Sequence, residues 1–514
     1  MSSNSPHRPT SATDGPQLPR INRRTFLIGL GALGAVGGIG YWATAAKPNK
    51  TGSTFATPLR IPPLLESEML DGERVFRLNA QAGETELVPG VSFATMGFNG
   101  THLGPTLRAA RGDKVRVRVT NNLPVATTAH WHGMLLPASQ DGTPHQAIAP
   151  GTTWTPSWTI AQDAATLWYH PHPHGQTELQ VGSGMAGMFL IDEATPSGLP
   201  SDYGVDDIPL IIQDVSVQSG GQRPGTPTTA PIGRIGNTVI VNGTYEPHFV
   251  ATARRLRLRV LNASAARCYN LELSTGDEFH LVGTDGGLLA APAAMSSLLL
   301  SPAERAEIVV TVPPDAELVL RSVPQDLGMS KGDDMTSGAE DTFGILRITG
   351  PGAATSGEQL TELPTTLPSA KQPGTVSGVE RHFTLEDTTI NGKAMDMDRI
   401  DTVVAANSTE LWTIQNVSKR AHNFHIHGTQ FIVTAENGGS PEPRNLGWKD
   451  TIFIAPGGTA QLTVPFSSYA DPATPYMYHC HMLWHEDQGM MAQYVLTDGE
   501  ATTEPMQHDG AMHH

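Results

Sequence analysis

Cysteine is almost missing: Cys268 and Cys480 are the only two in 514 residues. A small core held together by disulfides is thereby excluded. Basic charge is scarce as well, with 33 Lys and Arg against 50 Asp and Glu and a formal net charge of −17. That balance argues against nucleic acid or an anionic membrane surface as the main partner. Glycine and proline, 53 and 40 residues, are too few for a collagen-like or low-complexity chain. Helical periodicity is scarce beyond the N-terminal segment. A chain of this length exceeds one hydrophobic core, and at ~150 residues per domain it predicts about three.

What the sequence does have is alternation with period two. Val115, Val117 and Val119 alternate with Lys114, Arg116 and Arg118, as in a half-buried strand. Leu256, Leu258 and Val260 alternate with Arg255, Arg257 and Arg259, and a weaker copy runs from Glu410 to Gln415. Each strand runs into an asparagine, Asn121, Asn262 or Asn416, spaced 141 and 154 residues apart. A second series, Pro150-Gly151-Thr152-Thr153-Trp154, Ser301-Pro302-Ala303-Glu304-Arg305 and Ala455-Pro456-Gly457-Gly458-Thr459, has a similar period. Two marker series in step predict an internal triplication, and so three β-sandwich domains over 55–195, 205–350 and 379–500. A Gly/Pro/Thr-rich linker is expected over 351–378 and a disordered polar tail over 501–514.

The N-terminus reads as an address. Arg23-Arg24 precede an uncharged, glycine-rich run from Phe26 to Ala46, with Ala43-Thr44-Ala45 as a cleavage site. This resembles a bacterial twin-arginine export signal over 1–45, implying the twin-arginine machinery as a partner. The expected location is the periplasm, the cell envelope or the medium. Twenty-one uncharged residues could also span a bilayer as a retained anchor, which six glycines in the run disfavour.

Histidine carries the chemistry. Scattering 20 histidines at random gives ~0.8 His-x-His pairs, whereas the chain has five: 130/132, 170/172, 172/174, 425/427 and 479/481. On a strand, residues i and i+2 share a face, so such a pair offers two imidazoles side by side, which suits metal ligation better than an apolar core. Four pairs supply His130, His132, His170, His172, His425, His427, His479 and His481, two pairs from the first repeat and two from the third. A shared cluster is therefore expected where the first and third domains touch, with the middle domain holding them in place. Cys480, His485 and Met490 follow a Cys-x4-His-x4-Met spacing. With His422 they form a thiolate, two imidazoles and a weak thioether, the donor set of a blue-copper electron-transfer site. Met491 is the rival thioether. Because strand side chains alternate, Cys480 is expected to face away from His479 and His481, giving electrons a short through-bond route between two metal sites.

These segments together resemble the signature of the multicopper oxidases, specifically the bacterial three-domain laccase-like and copper-efflux branch. The resemblance implies an all-β chain of three cupredoxin-like Greek-key β-sandwich domains in tandem and four copper ions. The type 1 copper would be held by His422, Cys480, His485 and Met490. The type 2 copper would take His130 and His425, one type 3 copper His132, His170 and His481, and the other His172, His427 and His479. Asp141 and Glu486 match family acids near the trinuclear centre. They are expected to serve the four protons that O2 reduction consumes.

The reaction implied is one-electron oxidation of a donor coupled to reduction of O2 to water. A Met-rich insert of the copper-efflux branch is lacking between Leu385 and Gly392, and Ser418 and Arg420 stand where that branch keeps an Asp and a Met. A soft cuprous ion prefers thioethers and is repelled by a guanidinium. Phenols or aromatic amines are therefore the expected donors, with the substrate losing its electron near His485. Cuprous or other metal-ion oxidation is the alternative, with Met395/Met397 or Met329/Met335 as substitute ligands. A non-catalytic copper-binding or scaffolding cupredoxin protein is the alternative from another class. No nucleic acid and no stable membrane partner is expected.

Overall fold

The computed structural model describes residues 54–218, 223–352, 362–368, 373–499 and 506–507. The expected export signal, residues 353–361 and 369–372 of the expected linker, and most of the tail fall outside them. No helix among the described residues is long and apolar enough to cross a membrane.

The strands assemble into three pairs of sheets. In the first, Lys114–Asn121 pairs in parallel with the long strand Glu73–Val88. Its facing sheet orders Leu107–Ala110, Gly187–Asp192, Ala165–His170 and His130–His132. In the middle pair, Arg255–Asn262 lies between Asp207–Val215 and Arg305–Thr311 in a seven-stranded sheet. In the third, Thr409–Asn416 is central to one sheet, while Asp471–His479 and His422–Ile426 lie side by side in the other. Thr57–Pro58 pairs with Pro247–His248, so the first strand joins the middle sandwich rather than the first. Met506–Gln507 pairs with Arg399–Ile400, so two residues of the expected tail lie against the third sandwich.

The marker asparagines explain the repeat. Asn121 donates to the carbonyls of Val125 and Ile148 and accepts from the Leu123 amide. Asn262 does the same with Arg267, Leu300 and Ser264, and Asn416 with Arg420, Ile454 and Ser418. Their backbone carbonyls accept from Gly151, Ala303 and Gly457, the second marker series. Each fully buried amide thus fixes the turn where its strand ends.

The arginine face of the middle strand departs from expectation. Lys114 and Arg118 are exposed as predicted, but Arg257 and Arg259 are 1% and 7% exposed. The first sandwich reaches them, Thr166 lying 2.9 Å from Arg259 and Glu193 2.8 Å from Arg257, while Asp207 and Glu307 of their own sandwich pair with them. Alternation marks a polar face without showing whether water or another domain meets it.

Candidate metal centre

Eight of the predicted histidines converge at the seam between the first and third sandwiches, and all are buried. His130–His132 is a three-residue strand. The other pairs straddle strand ends: Ala165–His170 stops before Pro171, His422–Ile426 before His427, and Asp471–His479 before Cys480. Period-two alternation predicts whole pairs within strands. In the fold they sit where strands open into loops, which leaves the rings free to turn inward.

Hydrogen bonds decide which ring nitrogen is bare. The Nδ1–H groups of His130 and His425 donate to the carbonyls of Asp141 and Asp450 at 2.9 and 2.8 Å, and their buried Nε2 atoms have no partner. His170 and His479 likewise donate from Nδ1 to the Pro171 and Cys480 carbonyls. The Nε2 atoms of His172 and His427 lie 3.2 and 3.0 Å from Nε2 of His479. Nε2 of His170 lies 3.3 Å from Nε2 of His481 and 3.4 Å from Nδ1 of His132. Facing lone pairs this close repel unless a proton or a cation lies between them. Burial and neighbouring imidazoles hold His132, His170, His425, His427 and His481 well below the ordinary imidazole range, and burial holds His172 at about 3. The charged imidazolium form is therefore disfavoured near neutral pH, and bound cations fit the donor set.

A second group lies on the other side of Cys480. Its Sγ is 3.7 Å from His422 Nδ1 and 3.6 Å from His485 Nδ1, and these nitrogens are 3.1 Å apart. Burial pushes the thiol up to about 12, so a thiolate here requires a cation beside it. Met490 is fully buried in the same hydrophobic core as Cys480, its backbone bonded to Cys480 and His485, whereas Met491 pairs with His479. Ser418 Oγ is 3.0 Å from His422 Nε2. His485 is fully buried and donates from Nε2 to the Pro231 carbonyl at 2.8 Å, so a hairpin of the middle sandwich seals its outer edge. Half-buried Trp484 and Arg420 lie beside it, the guanidinium 6.0 Å from the indole ring.

The two predicted acids lie at the histidine cluster. Asp141 Oδ2 accepts from His427 Nδ1 at 2.8 Å, and its Oδ1 is 3.2 Å from His130 Nδ1. The Glu486 oxygens lie 3.3 Å from His172 Nδ1 and 3.2 Å from His479 Nδ1. Burial raises the Glu486 carboxyl, but these imidazoles outweigh it and hold it at about 2. Asp450 was not foreseen. Its Oδ1 accepts from His132 Nε2 at 3.0 Å while its carbonyl holds His425. Only the charged pair Lys449-Asp450 between Trp448 and an apolar run hinted at it. His174 is exposed and stands apart, as expected.

Models of multicopper oxidase domains match residues 79–196 and 364–500. The chain is 37% identical to the multicopper oxidase mco of Staphylococcus haemolyticus, over 83% of this chain and 90% of that protein. It is 34% identical to the cell division protein FtsP of Sodalis glossinidius, over 93% and 98%. A solved laccase-like multicopper oxidase, CueO from Ochrobactrum sp., with oxidase activity towards lignin model compounds and lignosulfonate, superposes with a TM-score of 0.77 at 34% identity. That match covers 86% of this chain and all of the other, and it makes the three sandwiches cupredoxin-like. By likeness that runs through all three sandwiches, the chain belongs to the multicopper oxidase family.

Proposed function

We propose that the protein is a laccase-like oxidase that couples one-electron oxidation of phenols or aromatic amines to four-electron reduction of O2 to water. Family membership implies copper binding and an oxidase that uses O2 and a reducing substrate. The observation that carries the finer reading is the convergence of buried imidazole nitrogens, with the opposite nitrogen of six of the eight rings already bonded to a carbonyl or a carboxylate. His422, Cys480, His485 and Met490 would hold the type 1 copper. His130 and His425 would hold the type 2 copper, His132, His170 and His481 one type 3 copper, and His172, His427 and His479 the other. Copper held there would supply one-electron redox chemistry beside Cys480 and the four-electron reduction of O2 at the histidine cluster.

The chain's own groups do the rest. His479 and His481 flank Cys480 in sequence, so a few covalent bonds join the two sites. Asp141 and Glu486 stand beside four cluster imidazoles, where four protons are consumed per O2. The seal over His485 keeps a phenol from bonding the ring directly, so each donor gives its electron from the Pro231–Trp484 surface and its proton to water. The Arg420 guanidinium there favours aromatic donors over a cuprous ion. Residues 1–45 would export the protein through the twin-arginine machinery.

A copper-loaded sample should be intensely blue and consume O2 with a methoxyphenol or an aromatic diamine. A colourless, inert sample would contradict the enzyme reading and favour the scaffolding role that likeness to FtsP suggests. Cu(I) turnover far above phenol turnover in one preparation, without added Cu(II), would overturn the donor preference. Cys480→Ser should abolish donor oxidation yet keep most copper at the histidine cluster.

A further inference from the structure

The middle sandwich contributes no imidazole to the histidine cluster, yet one of its side chains reaches it. Arg305 is fully buried, and its guanidinium touches all three sandwiches. Its Nε donates to the Thr166 carbonyl of the first at 3.0 Å, and it donates to the Ala303 and Asp285 carbonyls of its own. It then forks over Asp450 of the third, at 2.7 Å to Oδ1 and 2.5 Å to Oδ2. The fork leaves Asp450 Oδ1 as acceptor for His132 Nε2–H, which turns Nδ1 of that ring toward His170. The backbone of the same residue fixes His425 through its carbonyl.

The surroundings are built for this contact. Asp285 accepts from the Arg305 amide at 2.7 Å and lies 3.1 Å from Lys449, and Lys449 in turn lies 2.9 Å from Glu304. Gly133, directly after His132, has φ of 83°, and a Cβ there would come within 2.4 Å of Asp450 and 2.8 Å of Arg305. The other two repeats carry Thr153 and Thr459 in the register of Arg305, so the cation is peculiar to the middle repeat. A planar fork satisfying two carboxylate oxygens and three carbonyls at once is a geometry that an ammonium cannot reproduce.

We propose that Arg305 is a positioning residue for the histidine cluster, acting through Asp450 on His132 and His425. This rests on the copper reading above. The test loads wild type, Arg305→Met and Arg305→Lys with copper, and reads copper per chain, the blue absorption and the type 2 signal in electron paramagnetic resonance. Loss of a partner that orients metal ligands typically weakens metal affinity ~10–100-fold. Arg305→Met should therefore release cluster copper to a chelator with affinity lowered by that order, with an altered type 2 signal and an unchanged blue band. Arg305→Lys, which keeps the charge without the fork, should recover part of the loss. If Arg305→Met fails to fold, Arg305→Lys alone decides, by a shifted type 2 signal beside a normal blue band. Wild-type copper content and signal in the folded variants would overturn the proposal. So would joint loss of the blue band and the cluster in both, which would make Arg305 a fastener of the interface only. A wild type that takes up no copper would instead sink the underlying copper reading.

Discussion

At six of the eight cluster imidazoles one nitrogen is committed to a carbonyl or a carboxylate, and the other is thereby aimed at its neighbours. Backbone carbonyls do this for His130, His170, His425 and His479, and carboxylates for His132 and His427. Such bonds select a tautomer and fix the ring, which lets a metal bind without reordering the site. Glu486 differs: both oxygens are buried without a hydrogen-bond partner of good geometry, yet they face two imidazoles. A carboxylate left this way is placed to exchange protons rather than to brace a ring. Glu486→Gln should lower O2-limited turnover by ~100-fold or more, while single-turnover bleaching of the blue band by donor keeps its wild-type rate. Stopped-flow absorption separates the two phases. Equal turnover in variant and wild type would remove Glu486 from proton delivery.

Elements repeat because three buried asparagines repeat. Each amide satisfies two carbonyls and one amide hydrogen at the end of a strand, and the third such turn leads into His422. Asn416→Ala would leave these groups unpaired in a buried site at a cost of about 2–3 kcal/mol, read as a lower urea midpoint, whereas an unchanged midpoint would show that the turn holds without its amide. These elements were legible in the sequence because period-two alternation and the asparagine series are local signals. The burial of Arg257 and Arg259 was not legible, since a polar strand face looks the same whether it meets solvent or Thr166 and Glu193 of another sandwich. The His-x-His pairs were legible as chemistry but only partly as geometry, because three of them sit at strand ends. Asp450 and Pro231 were missed for a common reason. Each meets its histidine across the fold, 318 residues from His132 in one case and 254 from His485 in the other, with no spacing to betray it.

Across the whole molecule, the two ends of the chain supply the donor atoms and the middle supplies the clamps. Pro231 closes the outer edge of His485, and Arg305 ties Asp450 to both neighbouring sandwiches. Asp487, directly after Glu486, accepts from the amides of Thr177 and Glu178, so a third-sandwich residue also fastens the first. The central claim is that imidazoles from remote strands enclose one group of metal ions. Anomalous scattering at the copper edge, from crystals of the copper-loaded protein, tests it most directly. One peak is expected among His422, Cys480 and His485, and three within the cage formed by His130, His132, His170, His172, His425, His427, His479 and His481. A loaded crystal with no peak in that cage, or with its copper at the surface alone, would contradict it.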